Sequence, residues 1–222
     1  MRQELDAVAF DLDGTLYPNY RFYFRLLPFI IREHKLLRAM GSARDTLRSA
    51  THDGRFYDLQ ARIMADILKD NPEKIYSKTE QLIYRGWEPL FKKVRLFPQV
   101  HETLQALKSD GLKLGLLSDF PPHKKLEYLG LADYWDVVLC SEETGRLKPD
   151  PIPFIALSEA LQVSPGRILY VGNSIEYDIR GAKNAGFKAA LVQNPFALFR
   201  RKVPEADFIF KDYRQLRRYV LS

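Results

Sequence analysis

The 222-residue sequence predicts an α/β fold, a parallel sheet with a helical unit inserted after the first strand. Three observations carry that expectation. Apolar runs of strand length recur along the chain, several ending in a carboxylate, serine or glycine. From Phe97-Pro98 onward, strand-like and helical patterns alternate in the βα manner. Before that alternation, roughly 75 residues carry helical spacing alone.

The first strand is the run Ala7, Val8, Ala9, Phe10, followed by Asp11, Leu12, Asp13, Gly14, Thr15 and Leu16. A run with no polar alternation reads as a strand buried on both faces, and open α/β sheets bind ligands beyond the carboxyl ends of such strands. Residues two apart share a face, so Asp11 and Asp13 can converge on one cation or one phosphoryl group. Hard oxygen ligands of this kind suit magnesium. The plainer reading is a strand running into a polar turn at Asp13-Gly14.

Next comes the helical insertion. Phe56, Leu59, Ile63, Ile67 and Leu68 recur at helical intervals, as do Leu82, Ile83, Trp87, Leu90 and Phe91, and Asn71-Pro72 ends one helix and starts the next. Its place after the first strand suggests a lid over the strand ends that selects substrate. Tyr20, Phe22, Tyr23 and Phe24, interleaved with Arg21 and Arg25, are expected to form the buried face of the first insertion helix, with the arginines in solvent.

The alternating part then reads in order. A helix runs from about Pro98 to Ser109 and stops at Gly111; a strand, Lys113 to Leu117, ends in Ser118. Val137 to Cys140 is a strand and Pro151 to Leu161 a helix. A strand from Ile168 to Val171 closes in Gly172-Asn173, and a helix from about Ile175 to Ala185 stops at Gly186. Lys188 to Val192 and Phe208 to Phe210 complete the strands, and a helix from about Tyr213 to Leu221 ends the pattern, its Arg214, Arg217 and Arg218 forming a solvated face.

Composition narrows the function classes. With 46% hydrophobic and 28% charged residues the chain reads as soluble and globular. No apolar run nears the roughly 20 residues of a membrane span, and Glu4 and Asp6 argue against a signal peptide, so the expected compartment is the cytoplasm. The single cysteine, Cys140, reads as a small core hydrophobe, and His34, His52, His101 and His123 have no metal-ligand spacing. A net charge of +6 favours anionic partners, yet Lys and Arg are spread along the chain, which points to a small anionic substrate rather than nucleic acid or a membrane.

Asp11 with Asp13, Ser118, the loop Leu147-Lys148-Pro149-Asp150-Pro151, and Gly172-Asn173 with Asp178 stand in order at four strand ends. Together they resemble the haloacid dehalogenase superfamily of phosphohydrolases, and the resemblance spans about Asp6 to Val192. It implies a Rossmann-like core of residues 1–16 and 95–222 and an inserted helical cap domain of residues 17–94. It further implies a magnesium-dependent phosphatase acting on a small phosphorylated metabolite through an aspartyl-phosphate. In this correspondence Asp11 is the nucleophile and Asp13 the general acid and base. Ser118 and Lys148 hold and neutralise the transferring group, with Gly14, Thr15 and Asp119 completing the phosphate site. Asp11, Asp13, Asn173 and Asp178 form the metal set. Asn173 departs from the family's usual aspartate; its amide can still offer magnesium an oxygen but removes a negative charge, and the plainer reading makes it a helix cap. The alternatives are a phosphomutase of the same superfamily, a dehalogenase using Asp11 on carbon, and a catalytically weakened binding or regulatory module.

Overall fold

The computed structural model describes residues 4–49, 55–193 and 203–222. Six parallel strands, β1 (Ala7–Phe10), β2 (Lys113–Ser118), β3 (Val137–Cys140), β4 (Ile168–Gly172), β5 (Lys188–Val192) and β6 (Phe208–Phe210), form one sheet in the order β3-β2-β1-β4-β5-β6. β1 pairs with β2 on one side and β4 on the other, Phe10 lying opposite Leu116 and Val171. Strand order therefore reverses its sense at β1, and the crevice beyond β1 and β4 is where a doubly wound sheet takes its ligand.

Alternation along each strand builds a core on both faces. Val8, Phe10, Leu114, Leu116, Leu169 and Val171 point to one side. There they meet α6 (Val100–Ser109), α7 (His123–Leu129) and α10 (Tyr213–Leu221). Ala7, Ala9, Leu117, Ile168 and Tyr170 point to the other, against α8 (Pro151–Leu161) and α9 (Gly181–Asn184). Gly115 lets α8 come close, since a Cβ there would lie 3.0 Å from Leu161 Cδ1 and 3.2 Å from Leu157 Cδ1.

The insertion comprises α1 (Asn19–Arg32), α2 (His34–Ser49), α3 (Phe56–Leu68), α4 (Pro72–Thr79), a π-helical turn (Glu80–Tyr84), the short α5 (Arg85–Trp87) and a 3₁₀ segment (Glu88–Lys93). Asn71 caps α4, its side chain accepting from the Glu73 and Lys74 amides with Pro72 in the first turn, as the Asn71-Pro72 signal predicts. Leu36, Met40, Met64, Ile75 and Ile83 pack into a cluster of their own. Phe22, Leu26 and Phe91 instead join the cluster under the sheet, so α1 and the returning 3₁₀ segment are packed as part of the core.

The aromatic run of α1 differs from expectation. Phe22 is buried, but Tyr20, Tyr23 and Phe24 are exposed by 53%, 54% and 78%. α1 rests on the core along Phe22 and Leu26, with Phe29 and Ile30 partly buried beside them, so Tyr20, Tyr23 and Phe24 lie on its outer side. The segment expected as one helix from Ile175 to Ala185 begins as a π turn over Ile175–Arg180 before α9. Cys140 is 2% exposed and burial raises its thiol well above the ordinary value, which suits a packing residue. Among the described residues, no helix is long and apolar enough to cross a membrane.

Candidate active site

β1 ends at Phe10, and the Asp11 amide donates to the Val171 carbonyl at 2.9 Å, which fixes Asp11 in the crevice between β1 and β4. The chain then turns: the Thr15 and Leu16 amides return to the Leu12 carbonyl at 3.3 and 3.1 Å. Gly14 has φ +92°, which favours glycine, and a Cβ there would have to displace the ends of the Asn173 and Asn19 side chains. The turn brings the Thr15 hydroxyl back to donate to Asp11 Oδ2 at 2.7 Å. From below, the Tyr213 hydroxyl donates to the Thr15 carbonyl at 2.6 Å.

Lys148 enters from the loop before α8 and is 2% exposed. Its Nζ donates to Asp11 Oδ1 at 2.8 Å and to Asp178 Oδ1 at 2.6 Å, with the Tyr170 hydroxyl at 3.1 Å. Asp178 Oδ2 accepts from the Asn173 and Ser174 amides at 3.0 and 2.9 Å. Burial alone would discharge the ammonium, but Asp11 and Asp178 hold the Lys148 pKa well above its ordinary value. Asp11 itself is pushed up to about 7 by burial, with Asp178 and Asp13 adding to the rise and Lys148 opposing it. Two buried carboxylates thus share one cation.

Asp13 faces elsewhere. Its carboxylate takes both contacts of Lys125 Nζ, at 2.7 and 3.0 Å, and a hydrogen bond from the Tyr17 hydroxyl. Burial, reinforced by Asp13, raises the Tyr17 phenol well above its usual value, keeping it a donor. Ser118 is buried at the end of β2, where its hydroxyl accepts from the Phe120 amide at 3.2 Å. Asp119 accepts from the Lys148 amide at 3.2 Å and from Arg48 at 2.8 Å, while its carbonyl accepts from Arg44 at 2.9 Å. Burial works to raise the Asp119 carboxyl, but Lys148, Arg44 and Arg48 together hold it below its ordinary value.

Asp11, Thr15, Lys148 and Asp178 therefore form one hydrogen-bonded group, with Asn173 and Gly14 against it and Asp13 beside it on Lys125. Lys125, Tyr17, Tyr170, Arg44 and Arg48 were not singled out from the sequence. Arg44 and Arg48 had a readable signal: Met40, Arg44, Leu47 and Arg48 repeat at helical spacing, which places cations on the apolar face of α2. Lys125 had none, because α7 itself was not recognised.

The donors for a magnesium ion are judged on the same geometry. Among the described residues no three His, Cys, Asp or Glu side chains gather at one point, because Asp13 turns to Lys125. Asp11, Asp178 and the Asn173 amide oxygen remain as hard oxygen donors, and their net charge calls for a further cation. Ser174, whose hydroxyl accepts from the Tyr177 amide, caps the following turn, so Asn173 is not needed as the cap. Asp11, Asn173 and Asp178 are the residues that would hold a magnesium ion here.

Residues 5–186 match the haloacid dehalogenase-like hydrolase family. The chain is 31% identical over 204 residues to the phosphoglycolate phosphatase of Escherichia coli K12, covering 83% of this chain and 79% of the relative. It is 32% identical over 197 residues to the glyceraldehyde 3-phosphate phosphatase of Methanopyrus kandleri, covering 82% and 81%. Among solved structures, a HAD phosphatase from Thermococcus onnurineus aligns with a TM-score of 0.65 at 28% identity, over 96% of this chain and 97% of that one. A 2-haloacid dehalogenase from Pseudomonas syringae aligns at 0.69 and 25%, over 98% of each. The chain belongs to the haloacid dehalogenase-like hydrolases.

Proposed function

We propose that this protein is a magnesium-dependent phosphomonoester hydrolase that acts on a small phosphorylated metabolite through an aspartyl-phosphate on Asp11. The observation that carries the proposal is the buried Asp11 carboxylate, fixed by Lys148 and Thr15, with a second acid, Asp13, one residue away on a separate cation. The relatives at 31% and 32% identity are named as phosphatases of small phosphate esters, which supports the same reading. A cytoplasmic location belongs to the same proposal.

In the first step a carboxylate oxygen of Asp11 attacks phosphorus and the bond to the alcohol oxygen breaks, that oxygen taking a proton from Asp13. Lys148 keeps the nucleophile from repelling the phosphoryl oxygens, and the Ser118 hydroxyl and the amides of the Gly14 turn can donate to them. In the second step Asp13 takes a proton from water as its oxygen attacks phosphorus. The acyl-phosphate bond then breaks, releasing phosphate and restoring Asp11. Magnesium, held by Asp11, Asn173 and Asp178, would add positive charge at the phosphoryl oxygens. A dehalogenase has no alcohol to protonate, so Asp13 on Lys125 favours the phosphatase.

The test is phosphate release from a panel of phosphorylated metabolites with magnesium, for the natural chain and for Asp11→Asn. Turnover in the former and none in the latter is expected. A fully active Asp11→Asn chain would exclude covalent catalysis at this residue.

A further inference from the structure

A cavity opens beside Asp13, between the turn after β1, α1, the helices returning from the insertion, and the loop before α7. Its walls carry Phe22, Tyr23, Tyr84, Trp87, Phe91 and Phe120. Phe22 stacks on Phe91 with centroids 4.5 Å apart and meets Trp87 edge-on at 5.8 Å, so the rings brace one another before any ligand arrives. Since Asp13 lines this cavity and must reach the departing oxygen, the group attached to that oxygen enters here. This inference rests on the phosphatase reading.

The charges select among alcohols. Asp13, Glu88 and Lys125 are the charged residues of the lining, and Lys125 is already bound to Asp13. Arg85 and Lys124 lie nearby but are 75% and 55% exposed and paired with Glu80 and Glu127. An incoming carboxylate would find no uncommitted cation on the walls and would face Glu88. A cationic group would meet the Lys125 ammonium, which already sits 5.2 Å from the centroids of Phe91 and Phe120. The Tyr17 and Tyr84 hydroxyls are engaged by Asp13 and Glu142, which leaves a polyol the Asn19 and Glu88 side chains and the unpartnered Trp87 Nε1 among walls that are mostly rings.

We propose that the substrate is a phosphomonoester whose alcohol carries an uncharged aromatic ring, of the arylmethyl phosphate class, seated in this cavity. Glu88 is placed to accept from a donor on that ring. Phosphoglycolate, the substrate in the name of the bacterial relative, lacks the ring and brings the wrong charge.

The experiment measures kcat/KM of the whole chain with magnesium for benzyl phosphate, phosphoglycolate, glycerol 3-phosphate and phosphocholine, which all release primary alcohols. Burial of one ring predicts a preference for benzyl phosphate of about 30-fold, carried mainly by KM. Glu88→Lys, at a half-exposed position, is expected to narrow the gap to phosphoglycolate about tenfold. Equal or better turnover of phosphoglycolate, glycerol 3-phosphate or phosphocholine overturns the aromatic assignment and leaves the hydrolase standing. If no ester is cleaved, the hydrolase reading falls and calorimetry decides the cavity separately: binding of benzyl alcohol but not of glycolate or choline upholds it, and failure of benzyl alcohol to bind overturns it.

Discussion

A lysine that is 2% exposed and touches two carboxylates sets the chemistry at the residue scale. Lys148→Met would leave Asp11 and Asp178 facing each other without their cation, and breaking such a buried group costs about 3–5 kcal/mol. The expected result is a chain that unfolds at lower urea and releases phosphate at least 100-fold more slowly; unchanged rates would remove Lys148 from the site. Asn173 is the departure from the family pattern. With Asp11 and Asp178 already sharing Lys148, a third carboxylate at the amide's position would strengthen the hold on a divalent cation. Asn173→Asp is therefore expected to lower the magnesium dissociation constant, measured by calorimetry, and the magnesium level for half-maximal activity together. An unchanged binding constant would mean that the 173 side chain does not reach the metal. Asp11 was legible at the end of an apolar run, whereas Lys148 and Asp178 were picked out only by the order of motifs that resembles the family. Lys125 and Tyr17 were not, since a lysine on a helix and a tyrosine after a turn look like any others until the fold folds them onto Asp13.

At the scale of elements, α2 is fastened to the sheet by charge. Arg44 pairs with Glu142, which also accepts from the Tyr84 hydroxyl at 2.9 Å, and lies over the Phe120 ring at 4.0 Å from its centroid. Arg48 reaches Asp119 at 2.8 Å and the Lys148 carbonyl at 3.0 Å, so the insertion grips the catalytic loop itself. Arg44→Met alone leaves Glu142 buried and unpaired and is expected to cost about 3–5 kcal/mol; adding Glu142→Gln should recover part of it. Additive losses in denaturant would show that the two side chains are not coupled. The Asp119 carboxyl lies below its ordinary value of 3.8, so its contribution is present above that pH and is lost as pH falls through the folded value. Asp119→Asn should therefore be less stable near neutrality and show a flatter acid-side decline; an identical decline would mean that Asp119 does not titrate in the fold. All six strands were legible as apolar runs, because a strand buried on both faces has little polar interruption. α7 was not: its seven residues begin after Pro121-Pro122 and carry three consecutive basic side chains or imidazoles, too short and polar for a period to emerge.

For the whole molecule, packing divides the insertion between two apolar clusters. The apolar cluster of Leu36, Met40, Met64, Ile75 and Ile83 is separate from the two that sandwich the sheet. The joining segments, through Phe22, Leu26 and Phe91, belong to the sheet's own cluster. That division was invisible to helical periodicity, which reports that a face is apolar and not what covers it. A unit with a small core of its own, tied to the rest by ion pairs and by the contact of Leu47 and Phe56 with Leu147, should open at lower free energy than the sheet. We therefore expect α2, α3 and α4 to exchange their amide hydrogens faster than β1, β2 and β4, with α1 following the sheet. Arg44→Met should widen the difference, because it removes a tie between α2 and the end of β3 without touching either sheet cluster. The measurement is hydrogen exchange by mass spectrometry on both chains. Acceleration confined to α2, α3 and α4 is the expected outcome, whereas equal acceleration in β1 and β2 would mean that insertion and sheet unfold as one unit and that the ion pairs do not define a hinge.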